Sequence, residues 1–250
     1  MIKRPRYIWG WVVIATLIGG VYATWEHYYP SGSWRYKMTV VVQTPEGIKT
    51  GSAVREVDVA CGPQFLPDVI PCIPHVKGEA VIVNLGKRGV LFALMRGADG
   101  NEDYGTNIVY RAFPSGKWNY GPEGVQHYLA LKHAKAVLPP ALYPMFVYFK
   151  NLKDPKTVES LITIHSNGQL GDKGEVTQDR MAEVFGKGVK LKEVTIELTH
   201  DSVTWGLEKW LPWLPSRKYT RGYLGGTPEN WNQDPTKTYL TGVEFSKGRF

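Results

Sequence analysis

The chain is 250 residues long, 43% hydrophobic and 21% charged, values that exclude wholesale disorder and fit one large or compound domain. Of its net charge of +7, Lys3, Arg4 and Arg6 supply three, and the remaining basic residues alternate with acids, as in Arg55-Glu56 and Lys192-Glu193. That mixture reads as a solvated surface rather than a basic face, so nucleic acid is not an expected partner.

Residues 1–6 read as a basic cytoplasmic tail. Tyr7 to Trp25 carry no charge, and a helix of that length would span roughly 28 Å, close to the ~30 Å hydrocarbon core. Tyr7, Trp9 and Trp11 mark one end and Tyr22 and Trp25 the other, where aromatic rings favour the headgroup boundary. Basic residues before the span and Glu26 after it predict a single-pass helix in a bacterial inner membrane. The N-terminus would be cytoplasmic and the main domain periplasmic. The competing reading is a cleaved signal peptide, which exports the domain equally. Ala15, Gly19 and Ala23 recur every four residues, with Thr16, Gly20 and Thr24 beside them. Such small residues let another helix approach closely, so membrane lipid and other transmembrane subunits, or a second copy, are the expected partners.

A tether over 26–35 is expected next, then the exported domain over 36–250. Tyr36 to Thr44 and Ser52 to Ala60 alternate as strands around a Pro45-Glu46-Gly47 turn, and Glu79–Leu85 and Val90–Met95 flank a Gly86–Gly89 hairpin. The polar stretch 97–124 holds one expected strand, Asn107–Ala112. Val125–Val137 shows helical spacing up to Pro139-Pro140. Pro144–Lys150 and Val158–His165 return to strand character. Thr177 is placed to cap a helix over Gln178–Phe185 that Gly186 ends, and Lys192–Thr199 alternates cleanly. The fold class is therefore β-rich α+β: one N-terminal transmembrane helix, then an antiparallel sheet or sandwich with a few short helices.

The run Trp34-Arg35-Tyr36-Lys37-Met38-Thr39-Val40, with Thr44-Pro45-Glu46-Gly47, Gly89-Val90-Leu91-Phe92-Ala93-Leu94 and Leu211-Pro212-Trp213-Leu214, resembles uncharacterised proteobacterial membrane-anchored envelope proteins. The resemblance implies an envelope setting and brings no activity and no site residues with it.

Cys61 and Cys72 are the only cysteines, and in an oxidising compartment they predict a disulfide. Free thiols are one alternative. A metal held by Cys61, Cys72 and His75 is another, although a fourth ligand is missing. Asp99-Gly100-Asn101-Glu102-Asp103 places oxygens as a calcium loop does, then departs from that pattern at Gly105 and Tyr110, so a polar turn is favoured. His127 and His133 are not spaced as a ligand pair on one helical face. The common hydrolase and nucleotide-binding signatures are absent, so no catalytic residue, metal or cofactor is assigned.

Val203, Leu207, Trp210, Leu211 and Leu214 fall on one helical stripe, which Pro212 would bend or end near Leu211. Trp205, Trp210, Trp213 and Arg217 form a candidate interaction patch, weighed against plain core packing and a sugar-binding platform. The favoured function is a membrane-anchored accessory subunit with a binding or assembly role. The alternative is a periplasmic enzyme or carbohydrate-binding module acting on cell-wall saccharide.

Overall fold

The computed structural model describes residues 7–66, 68–167, 171–216, 224 and 240–248. A 22-residue helix, α1 (Tyr7–Tyr28), precedes β1 (Ser31–Thr44), β2 (Gly47–Cys61), β3 (Cys72–Glu79), β4 (Val81–Asn84) and β5 (Val90–Gly97). Helices α2 (Tyr104–Ala112) and α3 (Pro122–Ala130) follow, then β6 (Lys135–Val137), β7 (Pro144–Phe149), β8 (Val158–Ser160), β9 (Ile162–His165) and β10 (Glu175–Asp179). The short α4 (Met181–Phe185), β11 (Lys190–Thr199) and β12 (Ser246–Lys247) complete the described α-helices and strands. The chain is thus β-rich with antiparallel sheets and a few helices.

By mean hydropathy, no helix among the described residues is long and apolar enough to cross a membrane. In α1 the aliphatic residues are interleaved with Trp, Tyr, Gly and Thr, which weigh little on such a scale. The tether expected over 26–35 is not a separate element. The last turn of α1 runs into it from one side and β1 begins at Ser31.

A six-stranded sheet has the order β12-β3-β2-β1-β11-β6, a four-stranded sheet the order β4-β5-β7-β8, and β9 pairs with β10. Along β1, Trp34, Tyr36, Met38, Val40 and Val42 are buried while the residues between them face outward, the period of two that a half-buried strand requires. The four-stranded sheet is the middle layer and has two apolar faces. Leu91, Ala93 and Met95 of β5 join the core under the six-stranded sheet. Phe92 and Leu94 join a second core with Val147, Phe149, Leu207, Leu211, Trp213 and Phe245. Gly51 allows β2 to pass against β4, since a Cβ there would sit 2.0 Å from the Ile82 carbonyl oxygen.

Arg55, whose sequence context suggests a solvated ion pair, is instead completely buried. Its Nε donates to the Glu79 carbonyl at 2.9 Å, and its Nη2 to the carbonyls of Ala93 at 3.3 Å and Leu94 at 3.4 Å. One guanidinium therefore joins β2 to β3 and β5 across the two sheets.

Several expected boundaries move. Residues 107–112 form the end of α2 rather than a strand, because Tyr104, Ile108 and Val109 are buried on one helical side. The helix expected over 125–137 stops at Ala130. His133 adopts a positive φ of 55°, and Lys135–Val137 become an edge strand on β11. Residues 175–179 pair with β9, so α4 begins only at Met181, whose N–H is accepted by Asp179 Oδ1 at 2.8 Å. The stripe over 203–214 folds as a 3-10 turn at Leu207–Lys209 with further turns, where Gly206 has a φ of 139°.

Candidate functional site

Three places bear on function. The first is α1 itself. Its described side chains are exposed, Trp11 at 72% and Val21 at 69%, and a Cβ built on Gly19 or Gly20 meets nothing within 4 Å. Ala15, Gly19 and Ala23 thus share an open helix with nothing of the domain packed on them. The hydroxyls within it are satisfied internally: Thr16 Oγ1 donates to the Val12 carbonyl and Thr24 Oγ1 to the Gly20 carbonyl, each at 2.8 Å. Such back-bonding removes the polar cost of placing Thr in an apolar medium.

The second is a cavity of 170 Å³ between the start of β1, the segment after α3 and the end of β11. Trp34 lines it, and the Trp34 indole Nε1 is buried without a hydrogen-bond partner. His133 and His200 meet edge-to-face there, with ring centroids 6.1 Å apart, and Ser33, Arg35, Lys132 and Thr199 complete the polar lining. None of its described lining residues is acidic. Behind Trp34 lie Tyr110 and Tyr128, with centroids 5.8 Å from the indole. Burial pushes the Tyr110 hydroxyl well above its ordinary pKa, helped by the neighbouring Tyr120 and Tyr128. A donor-lined cavity of this kind can hold a small acceptor-rich group. It lacks the carboxylate pair that acid–base work on a saccharide normally uses.

No protein family, no curated protein and no solved structure matches the chain. The functional reading therefore rests on its own residues.

The third place is the tryptophan patch, which the structure divides. Trp213 is only 9% exposed, packs on Phe149 and Phe245 with centroids 5.6 and 6.1 Å away, and donates from Nε1 to the Leu152 carbonyl at 2.9 Å. It belongs to the second core. Trp205 is 38% exposed, and with the partly buried Trp210 it lines a cavity of 220 Å³ beside Glu79. Arg217 lies outside the described residues.

Cys61 and Cys72 form a disulfide across directly opposed positions of β2 and β3. This leaves no thiolate for the metal alternative with His75. Asp99 is held by Arg111 at 2.9 Å and accepts from the Asn101 N–H at 3.1 Å, so the acidic loop is a turn tied to α2. Among the described residues no three His, Cys, Asp or Glu side chains converge as a metal site.

One buried carboxylate could have suggested catalysis. Burial alone would raise the pKa of Glu159, but donors from Lys150 at 2.5 Å, Tyr148 at 3.0 Å and Arg180 at 3.2 Å outweigh it and hold the carboxyl below its ordinary value. A carboxylate pinned in its ionised form is a clamp between β7, β8 and the start of α4, not a proton donor.

Proposed function

We propose that the chain is a single-pass membrane-anchored protein whose exported domain serves binding or assembly as an accessory subunit, with lipid and other membrane helices, or a second copy, as partners. One observation carries the proposal: α1 is an uncharged helix up to Glu26 that lies open along its described length and continues almost directly into the first strand. An apolar helix in water gains nothing from that exposure, whereas lipid or a neighbouring helix covers it. Its 22 residues would extend roughly 33 Å, and its Trp and Tyr residues suit the headgroup boundary despite their low hydropathy. The internally bonded threonines and the low-bulk Ala15, Gly19 and Ala23 side favour helix–helix contact. The disulfide agrees with an oxidising compartment for the domain, and basic residues ahead of α1 favour a cytoplasmic N-terminus. The donor-lined cavity supports binding over the saccharide-hydrolase alternative, which lacks a carboxylate pair there.

A single experiment tests both halves. The tagged full chain should stay with alkali-washed membranes and, in mild detergent, elute as an oligomer or with partners. Gly19→Leu should remove that association while Leu17→Ala keeps it. Release by alkali would refute the anchor, and a Gly19→Leu elution profile identical to wild type would refute assembly through this helix face.

A further inference from the structure

The disulfide closes a loop whose composition is unusual for a segment facing water. Between Cys61 and Cys72 it holds Phe65, Leu66, Val69 and Ile70 and a single charged residue, Asp68. Phe65 is 86% exposed, Leu66 63%, Val69 48% and Ile70 43%, and the adjoining Ile73 on β3 is exposed as well. Loop tips are normally built from Gly, Asn, Asp and Ser, which water solvates, and contiguous exposed apolar residues mark a contact surface. The loop base is ordered: the Gly62 N–H donates to the Pro71 carbonyl at 2.8 Å, and the Val69 N–H to the Leu66 carbonyl at 3.2 Å. Its apolar side chains are therefore presented outward by a tied hairpin-like base.

Position supplies the occupant. In the β1–β2 register Ser31 lies opposite Ala60, and the Cys61 N–H donates to the Pro30 carbonyl at 3.1 Å. The loop thus leaves the sheet at the level of Pro30, just past Tyr28, the last residue of α1. The connection between α2 and α3 reaches the same end. The Cys72 N–H donates to the Tyr120 carbonyl at 3.2 Å, and the nearby Trp118 is 53% exposed. Gln126 of α3 donates to the His27 carbonyl at 2.9 Å. The exit of α1, the apolar loop and an exposed tryptophan share one end of the domain.

We propose that the 61–72 loop is a second membrane contact, with Phe65, Leu66, Val69 and Ile70 entering the headgroup–acyl boundary of the bilayer that α1 occupies and Trp118 lying at headgroup level. This rests on the anchor reading of α1. With α1 filling the hydrocarbon, Tyr28 lies at its boundary, and the headgroup layer adds only about 5–8 Å on each side. Pro30 is two residues further on, at most ~7 Å of chain. A loop projecting from that level reaches the layer, where buried aliphatic and aromatic side chains are favoured. The disulfide keeps the four side chains together as one insertion. Two attachments, helix and loop, hold the domain in one orientation. The Pro45–Gly47 turn at the other end of β1, roughly 43 Å away along the strand, then points away from the bilayer.

The test uses the full chain in proteoliposomes of phosphatidylethanolamine and phosphatidylglycerol, with the photo-crosslinker p-benzoylphenylalanine placed at Leu17, Phe65 or Ile48 in turn. Phe65 and Ile48 are both exposed, so neither substitution disturbs packing. Lipid adducts are expected at Leu17 and at Phe65, with roughly tenfold or more adduct at Phe65 than at Ile48 near the distal turn. Adducts at Leu17 with none at Phe65 would overturn the loop contact and leave the anchor standing. Absence at both would overturn the anchor and the loop contact with it. Protein rather than lipid adducts at Phe65 would make the loop a subunit interface and overturn the lipid assignment.

Discussion

The two ends of the β1–β2 ribbon are built from opposite chemistry. At the end where α1 enters, the chain shows apolar side chains to the outside: α1 itself, Phe65, Leu66, Val69, Ile70 and Trp118. At the Thr44–Gly47 end the turn is polar and clasped by an ion pair. The Arg88 guanidinium grips both carboxylate oxygens of Glu46, at 2.9 and 2.6 Å, and donates to the Phe185 carbonyl at 2.7 Å. Ile48 is the one large apolar side chain exposed in that hairpin. The asymmetry suits a domain with one end against an apolar phase and the other in solution.

The largest expected effect comes from breaking what both ends share. Arg55→Ala removes the donors that bind the Glu79, Ala93 and Leu94 carbonyls and leaves a cavity between the sheets. The cost should be about 3–5 kcal/mol in urea denaturation of the full chain in detergent. Both ends should lose protection from hydrogen exchange together. A loss under about 1 kcal/mol would mean that the sheets are held by apolar packing alone.

Replacing Cys61 and Cys72 together by Ser should act on one end only. Opening an eleven-residue separation costs up to about 3 kcal/mol in the chain-entropy model. Exchange protection should fall first around Gly62 and Cys72, with the Thr44–Gly47 turn unchanged. Equal loss at both ends would show that the disulfide supports the whole domain rather than the loop.

This asymmetry was only partly legible in the residues. β1, β2 and β11 could be read directly, since alternation survives in sequence, along all of β1 and on either side of the doubly covered Ala53–Arg55 of β2 and Val194–Ile196 of β11. The end of α2 was hidden because Ile108-Val109-Tyr110 are strong strand formers, and only their tertiary packing makes them helical. The stripe from Val203 to Leu214 is truly apolar, but Glu79 Oε2 takes the Leu207 N–H at 2.9 Å and the chain turns instead of coiling. Arg55 looked like one half of a surface pair, and nothing local announces a guanidinium that bonds carbonyls from two other strands. The disulfide was legible from two cysteines in an export context. The outward loop was not, although four apolar residues with one charge between paired cysteines were a usable signal. Burial is a property of the assembled sheets, so sequence shows which residues are apolar and not which of them are left uncovered.

The smallest expected effect belongs to the Glu46–Arg88 clasp, and it separates the two ends by pH. Hydrogen bonding to Arg88 holds the Glu46 carboxyl down at about 2 against an ordinary 4.5. A carboxyl whose folded pKa is depressed contributes stability that is complete above its unfolded value. That contribution is lost as pH falls through the folded value. The clasp should therefore stabilise the distal turn fully above pH 4.5 and lose its effect progressively as pH drops toward 2. Both partners are solvent-accessible, so the contribution is modest and should shrink further in molar salt. Thermal unfolding of wild type and Glu46→Gln from pH 6 to pH 2 should give curves that differ at the upper end and converge at the lower one. Phe65→Ser, at the opposite end and removing an exposed apolar side chain that carries no charge, should differ from wild type by the same small amount at every pH. A Glu46→Gln difference that stays constant across the range would show that the guanidinium grips the turn by packing rather than charge. The contrast between a charged end and an apolar one would then lose its electrostatic half.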